Sequence, residues 1–292
     1  MSGSLLLIAG YPKSGSTWIR LLFEALTRPL DSSVAINELG NGFYGGWRRT
    51  LFDTIAPITS ANLLPDEIDL LLPDIFRQLA SESAGLILVK VHDLAFRTRA
   101  GEWLYPPDHV SSVIYLVRHP FDVAASFAHH LGIDIQTAVA IMNRDHVMAP
   151  AGPRMIMPIH ERIGSWSANI ASWLDETPYP ITLTRYEDLR GDPVGSFARV
   201  AAAAGFRKDP EFIHRAAQAV NFNRLQAEEQ THGFGERPRS SPKFFRAGKP
   251  RSWEGILDPH LRDQIVRDHG AVMERLGYAS DGETRPMPGR RN

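Results

Sequence analysis

The feature that most limits what this chain can become is a set of four short apolar runs, each closing on or beside a reactive polar residue. They are "LLLIAG" (5–10), "GLILVKV" (85–91), "SSVIYLVR" (111–118) and "PITLTRY" (180–186). Runs of this length bounded by turn residues read as strands, and nearly unbroken Leu, Ile and Val mark strands buried on both faces. Helical spacing fills the segments 15–27, 66–82, 121–131, 160–175, 193–204, 210–220 and 258–276. This alternation predicts an α/β fold, a single three-layer domain with a central, mostly parallel sheet flanked by helices. Asp258 suits the cap of the last helix with Pro259 at its first position, and Pro73 predicts a break or kink in the second.

On such sheets ligands collect outside the carboxyl ends of the strands. Lys13, His92, Arg118 and Tyr186 all stand at or just past one. Two regions look unlike scaffold, 31–62 with "NELGNGFYGGW" and 146–158 with "HVMAPAGPRMIMP", and a third irregular stretch covers 230–252. Neither an internal repeat nor a domain boundary is visible, so 1–278 reads as one domain and 279–292 as a loose tail.

Thirty-two Lys and Arg balance 33 Asp and Glu, which removes any bulk electrostatic reason to expect a nucleic acid or an anionic membrane as partner. Any anion must be bound locally. The chain has no cysteine, which excludes disulfides, thiolate metal sites and cysteine nucleophiles and is compatible with a reducing cytoplasm. The run Leu5 to Ala9 is too short to span a membrane and lacks the basic start of a signal peptide.

The first strand runs into "GYPKSGSTW" (10–18), which is close to the P-loop pattern G-x-x-x-x-G-K-[ST]. Gly10, Gly15 and Thr17 fit, but Ser16 holds the lysine slot and Lys13 comes three residues early. Between a strand and a helix, successive backbone N–H groups and the helix N-terminus converge on an anion, and Lys13, Ser14, Ser16 and Thr17 add donors. A plain turn with Ser14 or Ser16 as helix cap explains less of this composition. Trp18 fits either core packing or stacking on a base. In "YLVRHPFDVAASFAHH" (115–130) the same logic returns, with Arg118 and Ser126 placed to hold a second phosphate. Taken alone, Arg118 would pair with Asp122.

These two motifs resemble the sulfotransferases that use 3′-phosphoadenosine 5′-phosphosulfate (PAPS), above all the soluble, cytosolic-type group with its P-loop-like fold. "YPKSGSTW" is similar to that family's 5′-phosphosulfate loop YPKSGTTW, with Ser16 for a threonine, and "YLVRHPFDVAAS" to its 3′-phosphate motif, with His119 where asparagine is common. Weaker matches follow in family order. "VKVH" (89–92) resembles K-T-H, whose histidine is the catalytic base, with Val91 for the threonine; "GSW" (164–166), "RYEDL" (185–189) and "NFNRL" (221–225) come next. Tyr186 and Phe222 would thereby meet the adenine. "FFRAGKPRSW" (244–253) is similar to the closing R-K-G-x-x-G-x-W motif through Arg246, Gly248 and Trp253. Ala247 and Arg251 replace its lysine and second glycine, and the missing charge falls to Arg251 or Lys249. The dimerisation motif K-x-x-x-T-V-x-x-x-E is absent, so the family's dimer mode is not carried over.

The resemblance implies in-line transfer of a sulfuryl group to a hydroxyl or amine of a small-molecule acceptor, in the cytoplasm and without a metal. Lys13 would stabilise the leaving phosphate, His92 would take the acceptor's proton, and Lys90 would assist or face solvent. His129 and His130 invite a metal reading, but no further ligand stands nearby at a suitable spacing, and they are expected in the acceptor pocket with Phe43, Tyr44, Trp47, Met148, Met155 and Met157. A P-loop kinase is the rival enzyme, but it predicts a lysine at 16 and an acidic magnesium ligand at a strand end. A catalytically silent nucleotide-binding protein predicts loss of Lys13 or His92, and both are present.

Overall fold

The computed structural model describes residues 3–29, 34–39, 43–45, 48–148, 158–206 and 209–288. In chain order the elements are β1 (Ser4–Ala9), α1 (Ser16–Thr27), β2 (Phe43–Gly45), α2 (Arg49–Ile55), α3 (Pro65–Glu82), β3 (Leu86–Val91), β4 (Val110–Val117), α4 (Pro120–Leu131) and α5 (Ile135–Met142). There follow β5 (Val147–Met148), β6 (Glu161–Arg162), α6 (Trp166–Glu176), β7 (Ile181–Arg185), α7 (Tyr186–Gly191), α8 (Pro193–Ala203), α9 (Pro210–Ala219), α10 (Phe222–His232) and α11 (Pro259–Arg275). Five strands form a parallel sheet in the order β2-β3-β1-β4-β7, and β5 and β6 make a separate antiparallel ribbon.

Side chains alternate across β1, and both faces are sealed. Leu5, Leu7 and Ala9 join a core with Phe76 of α3, Phe121 of α4, Trp173 of α6 and Ile265 of α11. Leu6 and Ile8 join the opposite core with Leu22 of α1, Phe197 of α8 and Ile213 of α9. Three layers result. The chain leaves β1 toward the β3 side and leaves β4 toward β7, so the crevice beyond the carboxyl ends of β1 and β4 is a topological switch point. Lys13 and Arg118 stand in the two turns that flank it.

All four predicted strands form, within a residue or so of their expected ends, and α11 begins with Asp258 accepting from the Leu261 N–H at 2.9 Å. Three expectations need correction. Pro73 does not break α3, which runs through it as one helix, because Leu72, Ile75, Phe76 and Leu79 are buried and that packing outweighs one lost hydrogen bond. The helix expected over 160–175 starts only at Trp166, since Gly164 takes a φ of 69° and Ser165 caps the helix through the Ala168 N–H. Finally, the stretch from 279 is tied down well past the expected start of a tail. Arg185 donates to the carbonyls of Leu276 and Arg285, Tyr278 bridges to Thr284, and Ala279 accepts from His119.

Candidate active site

The first turn is shaped by backbone that only certain residues tolerate. At Gly10 a Cβ would stand 2.4 Å from the Leu116 carbonyl, so a side chain there would push β1 off β4. Lys13 is left-handed at φ 73°, unusual for a residue with a Cβ, and Gly15 follows at φ 109° as the cap position of α1. No side chain caps this helix, so its first N–H groups face the crevice. The Ser14 hydroxyl is buried and has no hydrogen-bond partner among the described residues. The Lys13 ammonium lies 4.8 Å from the Phe244 ring. Burial foremost, then the charges of Lys90 and Arg118, lower its pKa to about 7, against a smaller opposing pull from Glu236. A positive group so reluctant to stay charged is suited to an incoming anion.

The second turn puts the buried Arg118 beside it. Its guanidinium lies 4.3 Å over the Tyr186 ring, Nη1 is 3.4 Å from the Lys13 carbonyl and Nε lacks a partner among the described residues. The alternative that Asp122 simply neutralises Arg118 is weak in this geometry. The two are 4.0 Å apart, and the Asp122 carboxylate is engaged by the Arg251 N–H at 2.9 Å and the Ser252 hydroxyl at 2.7 Å. Arg246 reaches the same cavity, and burial together with Arg118 lowers its pKa. Gly248 is required where it stands, because a Cβ would lie 2.3 Å from the Phe222 ring. Arg251 does not supply the missing charge: its guanidinium turns outward to Glu254 and Glu283, and Lys249 is exposed.

His92 follows β3 immediately. Its Nδ1 is 2.8 Å from the Gly10 carbonyl, which only accepts, so Nδ1 carries the proton and Nε2 keeps its lone pair. The His92 carbonyl is held by Asn169 Nδ2 at 2.9 Å, and Tyr115 donates to Asn169 Oδ1 at 2.6 Å. Burial, then Lys90, hold the imidazole well below its usual pKa despite the Gly10 bond, and it is therefore neutral at physiological pH. Lys90 lines the same cavity, and burial followed by Arg20 lowers its pKa too.

One cavity of about 900 Å³ joins these groups. Lys13, Gly15, Ser16, Thr17, Trp18, Arg118, Ser126, Tyr186, Phe222, Arg246, Ala247 and Gly248 line one part, and Lys90, His92, His130 and Met148 the other. Ser14 is buried beneath the loop rather than lining it. Trp18 is largely core, with Nε1 donating to the Val220 carbonyl at 2.8 Å and its ring edge-on to Phe197. His129 is not in the cavity wall, since its Nε2 is 2.8 Å from the Lys243 carbonyl. Phe43 and Tyr44 belong to β2, at the edge beside β3, with Tyr44 opposite Val89. Trp47, Met155 and Met157 lie outside the described residues.

Sequence reasoning missed two carboxylates in this wall, Glu161 and Glu236. Glu236 is held by Arg20 in a two-pronged pair at 2.7 and 2.8 Å. Both come from segments without periodicity, and no local signal marks them. Missed as well were Arg144, His146 and Phe244.

Residues 105–277 match the family model described as the sulfotransferase domain. The first loop and His92 precede that span. Flavonol 3-sulfotransferase of Flaveria bidentis is 23% identical over 92% of this chain and 81% of its own length. Cytosolic sulfotransferase 17 of Arabidopsis thaliana is 24% identical over 92% of this chain and 73% of its own. Among solved structures, retinol dehydratase in a complex with retinol and PAP superimposes with a TM-score of 0.60 at 18% identity, covering 100% of this chain and 84% of the other. Mouse sulfotransferase SULT7A1 complexed with PAP does so at 0.54 and 15% identity, covering 93% and 84%.

Proposed function

The chain belongs to the sulfotransferase family, and from that premise we propose that it moves a sulfuryl group from PAPS to a hydroxyl, or an amine, of a small-molecule acceptor. PAPS, when bound, supplies the sulfuryl group and leaves as 3′-phosphoadenosine 5′-phosphate (PAP). We read residues 1–278 as one sulfotransferase domain, acting in the cytoplasm. Among the described residues no helix is long and apolar enough to cross a membrane.

The residues present fit such a donor. The uncapped start of α1 and the weakly neutralised, buried Arg118 both suit an anion, and two glycines keep aromatic rings close. In this reading Lys13, Gly15, Ser16 and Thr17 hold the 5′ end, with the buried Ser14 supporting the loop rather than touching the donor, while Arg118, Ser126 and Arg246 hold the 3′-phosphate with the backbone of Ala247 and Gly248. Trp18, Tyr186 and Phe222 flank the base. Lys13 stabilises the charge that grows on the leaving phosphate, a role of oxyanion-hole type. Lys90 stands by as a second cation. His130 and Met148 shape the acceptor side, to which we also assign Phe43, Tyr44, Trp47 and Met155.

The observation that carries the reading is the lock on His92. With Nδ1–H committed to the Gly10 carbonyl, Nε2 is the nitrogen that takes the acceptor's proton as the oxygen attacks. The same Gly10 opens the donor loop, so base and leaving-group site are held by one strand end. Replacing His92 by alanine should lower kcat by about 10²–10⁴-fold with PAP affinity kept, assayed with labelled donor and a panel of phenols and alcohols. Near wild-type turnover in H92A would remove His92 as the base. Calorimetry showing no PAP binding by the wild-type protein would remove the reading itself.

A further inference from the structure

The ladder of the sheet ends at Val91 on β3, so the backbone groups of His92 to Ala95 need partners from elsewhere. One face of α6 supplies three of them. Asn169 Nδ2 donates to the His92 carbonyl at 2.9 Å, Trp173 Nε1 donates to the Asp93 carbonyl at 2.9 Å, and Ser172 Oγ accepts from the Ala95 N–H at 2.9 Å. Positions 169, 172 and 173 are spaced i, i+3 and i+4, which puts them on the same side of the helix. The segment that carries the base is laid along α6.

Of the three, Asn169 is tied to His92 itself. It is fully buried and is not part of the cavity wall. Its amide nitrogen has two N–H groups and both are spent, the second on the Ile163 carbonyl at 2.8 Å, while Oδ1 accepts from the Tyr115 hydroxyl at 2.6 Å. Carbonyls only accept, so one orientation of the amide fits, and an aspartate of the same shape would turn a lone pair toward each carbonyl. His92 is thereby fixed at two points, Nδ1 on the Gly10 carbonyl at 2.8 Å and its own carbonyl on Asn169. A ring held at Nδ1 alone keeps its tautomer but can swing about that bond. The second anchor settles where Nε2 points.

Resting on the reading of His92 as the base, we propose that Asn169 is a positioning residue of the reaction: by holding the His92 carbonyl it fixes the place at which Nε2 meets the acceptor, without touching donor or acceptor. Misplacing a reacting group by about 1 Å can cost about 10²-fold in rate, so a buried amide outside the cavity is enough to control turnover.

The test is a double-mutant cycle in the full chain, with turnover of labelled PAPS onto a phenol and PAP affinity by calorimetry. N169A should lower kcat by about 10–100-fold while PAP affinity and the KM for the phenol stay within about twofold. In an H92A background the same change should cost nothing further, because a residue that acts only through His92 has nothing left to position. S172A, which unties the same segment three residues beyond the base, should leave kcat within about twofold of wild type. Should N169A fail to fold, the cycle is run with Y115F, which removes the hydroxyl that orients the amide and should lower kcat by about 2–10-fold alone and not at all in H92A. Equal losses from the 169 or 115 change in both backgrounds, wild-type kcat in N169A, or a loss in S172A as large as that in N169A would overturn the proposal and leave Asn169 a plain structural residue. Failure of the reading beneath it is seen without any of these variants, as near wild-type turnover in H92A alone or absent PAP binding by the wild type.

Discussion

Two strand-to-helix turns flank the switch point, and they differ in who satisfies the helix start. After β4 the helix is capped from within: His119 Nδ1 accepts from the Phe121 N–H at 3.3 Å, and Pro120 occupies the first helical position. After β1 the cap position is Gly15, with no side chain to offer. The first turn therefore leaves backbone donors and the positive end of α1 for a ligand, while the second must work through side chains, chiefly Arg118. The two strand-end histidines part in the same way. His119 has both nitrogens engaged, Nδ1 accepting and Nε2 3.2 Å from the Ala279 carbonyl, whereas among the described residues His92 spends only Nδ1. A polar residue at a strand end is chemically available only where the fold has not used it.

The sharpest way to break this contrast is to remove Lys13, the one ammonium in the backbone-built turn. K13A should lower kcat by about 10²–10³-fold, the scale of one lost oxyanion donor, in single-turnover measurements with labelled donor. A loss confined to KM would mean that Lys13 binds the ground state and the transition state alike.

The side-chain-built turn should fail differently. R118A is expected to weaken PAP by about 10–100-fold while leaving adenosine 5′-monophosphate, which lacks the 3′-phosphate, within about twofold, since a charge-assisted contact carries about 1.5–3 kcal/mol. Calorimetry with both nucleotides reads this directly. Equal losses for the two would place Arg118 at the 5′ end.

Protonation separates the turns further. Below pH 7 Lys13 already carries its proton, and as pH rises through about 7 the free protein loses it and must regain it to hold an anion. PAP affinity should thus fall between pH 7 and 9, by at most about tenfold per unit, with proton uptake on binding rising toward one. K13R, always charged, should flatten the profile. A wild-type profile as flat as that of K13R would show that Lys13 is not the titrating contact.

The parallel strands and their reactive ends were readable because strand burial writes a continuous apolar run and the turn chemistry is local. The β5–β6 ribbon was not, because two-residue strands carry no periodicity, and α10, "FNRLQAEEQTH", is polar over nearly its whole surface. The part of the cavity assigned above to the donor comes from contiguous loops, so its lining residues stand together in the sequence. The part proposed for the acceptor is assembled from α4, α5, the ribbon and the loop carrying Glu236, which meet only after folding. His129 illustrates the limit: the family resemblance put it in the pocket with His130, but adjacent residues on a helix point about 100° apart, and of the two only His130 reaches the cavity. Arg251 shows the same limit in a loop, where its left-handed φ of 60° turns the backbone N–H to Asp122 and the side chain away.

The smallest expected effect tests the premise that His119 is structural. Burial lowers its pKa to about 4, outweighing the Ala279 bond, so it caps α4 as a neutral ring across the physiological range. H119A removes the cap and should cost about 0.5–2 kcal/mol in denaturant unfolding. H119N should recover most of this, because asparagine accepts from the same N–H groups and ranks among the best cap residues. The recovery matters more than the loss. A ring acting on the donor's phosphate would not be replaced by an amide, whereas a ring whose task is to satisfy the start of α4 would be. If H119N were as unstable as H119A, the bond to Ala279 would be the larger part of what His119 contributes, and the second turn would be held by the C-terminal segment rather than by its own cap.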